Sequence, residues 1–288
     1  MLTKKIIIYI FTILMFGISV NAQTEPAEGS KEELEKVADK LIDPLSDLWF
    51  VFMTDFATNV KNTETGSRYT MNQYMLQPVM PYTIKKDKII LVNRPSFLVN
   101  TLPTFSDGGY STHITNFSWS AILGYKTDFG LIYGAGPEIT FPAYNEFASR
   151  NFKTGGTMIL YYMQKTFVTG FNYTHFVDLE TTDDVAYTNT GILQYVFTYR
   201  ITPLVSITSA SQIEAVYTDK GIKYNLPVGV SVGKTFYIGK VPASMSIGYQ
   251  YVVKNNELLL QNNLEQSHRI SLTLMTVVPN LFHLDKFK

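Results

Sequence analysis

The connections between short strand-like segments alternate in length along this chain, and that alternation limits the folds it can adopt. From Leu48 to Pro279 a long polar connection is followed by a short one, and then by another long one. Transmembrane barrels have short turns on the periplasmic side and longer loops outside. The pattern therefore predicts an all-β fold, an antiparallel up-and-down transmembrane β-barrel of about twelve strands with both ends on the periplasmic side.

The two kinds of connection are easily told apart in the sequence. The long ones are KNTETGSR, LPTFSDGGYSTH, AYNEFASRNFKTGG, DLETTDDVA, TDKGIK and KNNELLLQNNLEQS. The short ones are KKDK, TDFG, QKT, RITP and GK.

The first residues have the pattern of an export signal. Lys4 and Lys5 precede the apolar run 6–20, and Val20-Asn21-Ala22 places small or apolar residues where signal peptidase cleaves. We expect residues 1–22 to be removed. The alternative is a membrane anchor helix, for which the run is shorter than the ~20 residues of a typical span.

Composition narrows the class further. The chain has no cysteine, so no disulfide holds it. Its 24 basic and 24 acidic residues give a formal net charge of zero, and nothing in this balance points to a nucleic-acid partner.

Residues 23–46 are predicted to form a periplasmic tether and a short amphipathic helix. Ser30 and Glu33 fit a capping box, and apolar residues recur at helical spacing until Pro44, at Leu34, Val37, Ala38, Leu41 and Ile42. The apolar stripe needs a surface to cover, and the periplasmic mouth of the barrel is the nearest one. Two interpretations stay open: a helix that packs permanently over one end, and a movable plug.

Alternation along the strands separates a lipid face from a lumen face. Val228, Val230 and Val232 are predicted to face lipid, with Gly229, Ser231 and Gly233 inside. A soluble barrel would invert these faces. Aromatic residues at both strand ends, as at Tyr82, Phe129 and Tyr199 beside short turns and Tyr110 and Tyr251 near long loops, favour the membrane barrel.

The same alternation places six charged residues inside the barrel, three of each sign. They are Asp55, Arg94, Glu138, Arg200, Glu214 and Arg269. Either they form a selectivity lining, or they are a balanced network that fills the lumen. Asp55 and Arg269 are expected to pair beside the closing seam.

Several stretches together resemble one family. They are DPLSDLWFVFMTDF (43–56), LQPVMPYTI (76–84) with LVNRPSFLV (91–99), YGAGPEITFP (133–142) and LPVGVSVGKTFYIGKVPASMSIGYQY (226–251). This order resembles the outer-membrane barrel family named after the meta-pathway of phenol degradation. The resemblance implies an outer-membrane barrel that passes small hydrophobic or aromatic compounds. The sequence departs from many such barrels in having NLFHLDKFK after Pro279.

The predicted organisation is thus a barrel over 47–280 with a C-terminal tail, 281–288, located in the outer membrane with its lipid as partner. A passive channel for small solutes is the leading function, and no cofactor, metal site or oligomeric state is indicated. A closed barrel whose loops meet a partner is the alternative, with Leu258–Leu260 as a contact or constriction. A lipid hydrolase would need a Ser–His pair, and Ser111 with His113 and Ser267 with His268 are the nearest pairings. Both lie at loop edges in sequence rich in serine and threonine, where such proximity arises by chance, so we expect no enzyme.

Overall fold

A computed structural model of the chain describes residues 28–86, 88–104, 109–143, 151–179, 189–219, 221–255 and 264–278. One helix, α1, spans Glu28–Leu41. Thirteen strands follow it: β1 Phe50–Asn62, β2 Arg68–Lys85, β3 Ile89–Pro103, β4 Tyr110–Lys126, β5 Leu131–Phe141, β6 Lys153–Met163, β7 Phe167–Asp178, β8 Asn189–Thr202, β9 Val205–Thr218, β10 Gly221–Tyr224, β11 Leu226–Ile238, β12 Val241–Lys254 and β13 Leu264–Val277.

The strands close into a barrel in which consecutive strands run antiparallel. The first strand, β1, pairs with both β2 and the last strand, β13. Because β10 and β11 are one barrel strand interrupted at Asn225, the thirteen segments make a closed twelve-stranded antiparallel barrel. The predicted fold class is confirmed. The amide of Val278 donates to the carbonyl of Trp49 at 2.9 Å, so both ends of the barrel meet at the short-turn end.

The short turns lie where the sequence predicted them, but several strands extend into the connections that were expected to be loops. Strand β4 already begins at Tyr110, β6 at Lys153 and β13 at Leu264. Backbone pairing continues there because main-chain hydrogen bonds do not depend on apolar side chains. Leu258–Leu260 lie outside the described residues.

The outer surface carries an apolar belt. Ile247 and Ile270 are among its most exposed members, at 62% and 54%, and Val228, Val230 and Val232 also face outward as predicted. The rings of Phe97, Phe117, Phe141 and Phe152 form a row around the wall, with successive centroids 4.8, 5.2 and 5.5 Å apart. In the part of the chain that the structure describes, no helix is long and apolar enough to cross a membrane.

One section of the wall has an incomplete ladder. Strands β9 and β11 pair only between 205–208 and 231–234, and pairing to β9 resumes in β10 at 221–224. Between these stretches side chains make the connections: the Ser209 hydroxyl donates to the Gly229 carbonyl at 2.9 Å, and the Gln250 amide to the Ala210 carbonyl at 3.2 Å. We call 209–213 with 226–230 the open seam.

Helix α1 begins at Glu28, two residues before the predicted start, and ends at Leu41, ahead of Pro44. Leu34, Ala38 and Leu41 are buried, whereas Lys31 and Glu32 are exposed. The amphipathic stripe is therefore real, and its buried face meets the barrel.

Candidate functional site

Helix α1 and the following residues 42–48 close the short-turn end of the lumen; we call 28–48 the plug. Leu41 is 6% exposed and Leu45 is completely buried. Both belong to one apolar cluster with inward side chains from seven strands: Phe50, Val79, Ile90, Val92, Ile122, Ile132, Ile159, Tyr161 and Val168. The lower lumen is therefore a packed core and not a polar passage.

Leu45 fits against β4 because position 124 is a glycine. A Cβ added to Gly124 would overlap the Leu45 side chain, which occupies that space instead. The absence of a side chain at Gly124 thus makes room for the close packing of Leu45 against the wall.

Ion pairs attach the plug to the wall. Asp43 pairs with Lys126 of β4, and both side chains are largely buried. Asp39 pairs with Arg200 of β8, whose side chain is only 9% exposed. The second oxygen of Asp43 accepts the amide of Leu45 at 2.9 Å, which fixes the turn that carries Leu45 inward. The wall therefore supplies cations and the plug supplies carboxylates.

Above the plug lies a cavity of about 360 Å³. Its lower wall is apolar, with Leu41, Phe50, Phe52, Val92 and Ile159 among the lining residues. Its upper wall is polar, and includes Thr54, Gln77, Asn172, Gln194, Gln212, Gln250 and Ser271. The Asn172 amide donates to Gln194 at 3.1 Å, so part of this polar wall is internally linked.

Three of the six predicted charged residues line this cavity, namely Arg94, Arg200 and Arg269. Arg94 lies in one row of the wall with Ser120 and Glu138, and interacts electrostatically with Glu138. The carboxylate of Glu138 lies 3.2 Å from the Thr174 hydroxyl. Glu138 thus accepts a hydrogen bond from Thr174 of the wall and lies near Arg94.

Arg269 is held mainly by neutral groups. Its Nε donates to the Thr58 hydroxyl at 3.2 Å, and one Nη donates to Gln266 at 3.0 Å. The guanidinium lies 5.3 Å from the ring centre of Phe56. Glu214 of β9 interacts with Arg269 and with Lys153 through electrostatics.

Asp55 is the exception, because it faces away from the lumen. Alternate residues of β1, from Phe50 to Phe56, line the cavity, and the Thr54 hydroxyl meets that of Thr273 at 2.8 Å. Asp55 lies between them on the opposite face, across from Tyr74 and Leu272. The predicted lumen position of Asp55 and its pairing with Arg269 are therefore wrong. The polar-inside rule fails here since the lower lumen packs apolar side chains against the plug.

Sequence reasoning missed a buried polar group in the upper lumen. Asp178, with a fully buried side chain, accepts the Asn151 amide at 2.9 Å and lies 3.7 Å from Lys153. These three residues were assigned to loops, so their strand parity was never considered. The sequence signal was the opposite charge of Lys153 and Asp178, which only the pairing of β6 with β7 brings together.

The two Ser–His pairs have different surroundings. Ser111 and His113 lie on one face of β4, and their side chains form a hydrogen bond. Ser267 and His268 lie together at a bulge of β13 opposite Asn59: the serine hydroxyl contacts Asn59 at 3.1 Å, and the histidine contacts the Tyr249 hydroxyl at 2.7 Å. Within the described ranges, no group of three or more His, Cys, Asp or Glu residues is placed to hold a metal.

Comparisons with known proteins give no sequence family: no family model matches the chain, and no curated protein matches it. Solved structures do match. An outer-membrane channel from Pseudomonas putida F1 shares 14% identity at a TM-score of 0.60, over 89% of this chain and 100% of that one. The NanC porin shares 12% identity at a TM-score of 0.50, over 79% and 99%. At these identities the likeness shows the fold, which is that of outer-membrane β-barrels.

Proposed function

We propose that this protein is a passive outer-membrane channel for small solutes, closed at its periplasmic mouth by the plug. One observation carries the proposal: the barrel encloses a partly polar cavity of about 360 Å³, and its lower end is filled by a separate segment instead of by strand side chains alone. A segment that is not part of the strand ladder can leave the lumen without opening the barrel wall. Burial of Leu41 and Leu45 keeps it seated at rest.

Two further points support this role. The apolar belt matches an outer-membrane location. The similar structures include a protein described as an outer-membrane channel and another described as a porin. Small hydrophobic or aromatic compounds are the proposed cargo, since the cavity floor consists of aliphatic and phenylalanine side chains.

The test is single-channel recording of the refolded full chain in planar bilayers. Leu45→Ala removes the buried anchor of the plug, and such truncations cost about 2–5 kcal/mol in packed cores. We expect this variant to conduct far more often than the wild type. Leu272→Ala, the same change on the outer face, is the control and should behave like the wild type.

The competing function is a closed barrel that binds a partner through its loops. The same recordings separate the two. Barrels that are folded, as judged by heat-modifiable migration on gels, yet never conduct in either the wild type or Leu45→Ala, would favour the closed barrel.

A further inference from the structure

Two of the three arginines that line the cavity, Arg94 and Arg269, are not directly neutralised by a described residue. Among the described residues no carboxylate lies within ion-pair distance of Arg94 or Arg269, and the Nε of Arg94 has no hydrogen-bond partner. Glu138 and Glu214 act on them only from a distance. A guanidinium in a confined space retains strong capacity to bind an anion, above all a planar carboxylate.

The two arginines line one cavity from separate parts of the wall. Arg94 lies on β3 and Arg269 on β13, separated by β1 and β2. In the strand register Arg94 is level with Phe50 and Val277, so Arg269 is a further eight residues away, about 26 Å along the strand, and one small solute meets only one of the two. Phe50 and Phe52 line the cavity with Arg94. The cavity therefore combines cationic donors with an apolar floor.

The lower exit repeats the same chemistry. Its wall cations, Arg200 and Lys126, are each paired with a carboxylate of the plug, Asp39 and Asp43. The plug thus places its own carboxylates where a solute leaving the cavity would meet these cations. A carboxylate solute could replace them there without leaving a buried charge unpaired.

We infer that the cavity binds small carboxylates with an apolar body, held by Arg94 against the floor that Phe50 and Phe52 form. This names the cargo class of the channel and rests on that proposed function. The carboxylate would bind the guanidinium of Arg94, which lines the cavity, and the apolar body would cover the floor left open above Leu41. A volume of about 360 Å³ accommodates a molecule with one ring.

The experiment is calorimetric titration of the refolded full chain in detergent with benzoate, benzamide and acetate. Benzamide has the shape of benzoate without its charge, and acetate has the charge without the ring. We expect benzoate to bind roughly tenfold or more tightly than either, because charge-assisted hydrogen bonds are stronger than neutral ones and the ring adds apolar burial.

Variants assign the binding to Arg94. Arg94→Gln should weaken benzoate about tenfold and leave benzamide unchanged, whereas Arg269→Gln, at the distant cavity arginine, should leave both unchanged. Arg94→Lys keeps the charge and should recover part of the affinity, which guards against a variant that merely folds poorly. Arg68→Gln changes an exposed arginine at the end of β2 and should have no effect.

Equal binding of benzoate and benzamide, or unchanged benzoate affinity in folded Arg94→Gln, would overturn the inference. The channel proposal is tested separately, by the currents in planar bilayers. Currents without a preference for benzoate would remove the cargo class alone. Benzoate binding without any current in the wild type or Leu45→Ala would keep the binding site and remove the channel.

Discussion

Leu45 of the plug occupies the space that a side chain at Gly124 would need, so the plug packs directly against the backbone of the barrel wall. Adding one methyl group to the wall should therefore act on the plug. Gly124→Ala is expected to displace Leu45 and destabilise the closed state by about 1–3 kcal/mol, the usual cost of overpacking. The measurement is the open probability in planar bilayers, which should rise.

The control for this change is Gly156→Ala in β6. A Cβ there meets nothing closer than the Gly136 carbonyl at 3.8 Å. An equal rise in both alanine variants would mean that the effect comes from strand glycines in general and not from Leu45.

The pair of Asp43 and Lys126 should also hold the plug. Removing one partner leaves a largely buried charge unpaired, so Asp43→Asn and Lys126→Gln should each favour opening. The double variant should open less than the sum of the two single effects, because both remove the same interaction. A double-mutant cycle on open probability measures this coupling, and strict additivity would show that the two side chains act independently.

Asp55 provides a test of the face assignment in β1. Asp55→Leu replaces an outward carboxyl by an apolar side chain beside Leu272 and Tyr74. We expect unchanged ion selectivity and equal or greater resistance to urea unfolding in lipid vesicles, since charged groups on the lipid face are costly. Glu138→Gln, a change in the lumen, is the contrasting variant and should alter selectivity. A shift of the reversal potential in Asp55→Leu would return Asp55 to the lumen.

The open seam should be the least protected part of the wall. Its backbone amides lack the cross-strand partners that the rest of β9 and β11 have on both sides. Native-state hydrogen exchange should therefore be faster in 209–213 and 226–230 than in 231–234, where the ladder is complete. Uniform exchange along β11 would show that the side-chain bonds from Ser209 and Gln250 protect the seam as well as a ladder does.

The distribution of apolar residues along each strand explains why the predicted strand faces were correct in some strands and wrong in β1. The faces of β11, β12 and β13 were correctly predicted over 228–233, 244–250 and 269–274, because apolar and polar residues alternate strictly in these stretches. In β1 both faces carry apolar side chains, Phe50, Phe52 and Phe56 inside and Val51 and Met53 outside. Alternation therefore could not decide between the faces, and the single charge at Asp55 was a misleading guide.

The sequence by itself determined the architecture: alternating long and short connections and period-two polarity are local properties, and together they require an antiparallel barrel. Tertiary structure decided how the lumen is used. The plug meets an apolar cluster from seven strands that are far apart in the chain. Leu45 against Gly124, Asp43 with Lys126 and Asp39 with Arg200 therefore become neighbours only when the barrel closes. Periodicity predicts which face of a strand is polar. It does not predict that part of the inner face is apolar because the plug packs against it.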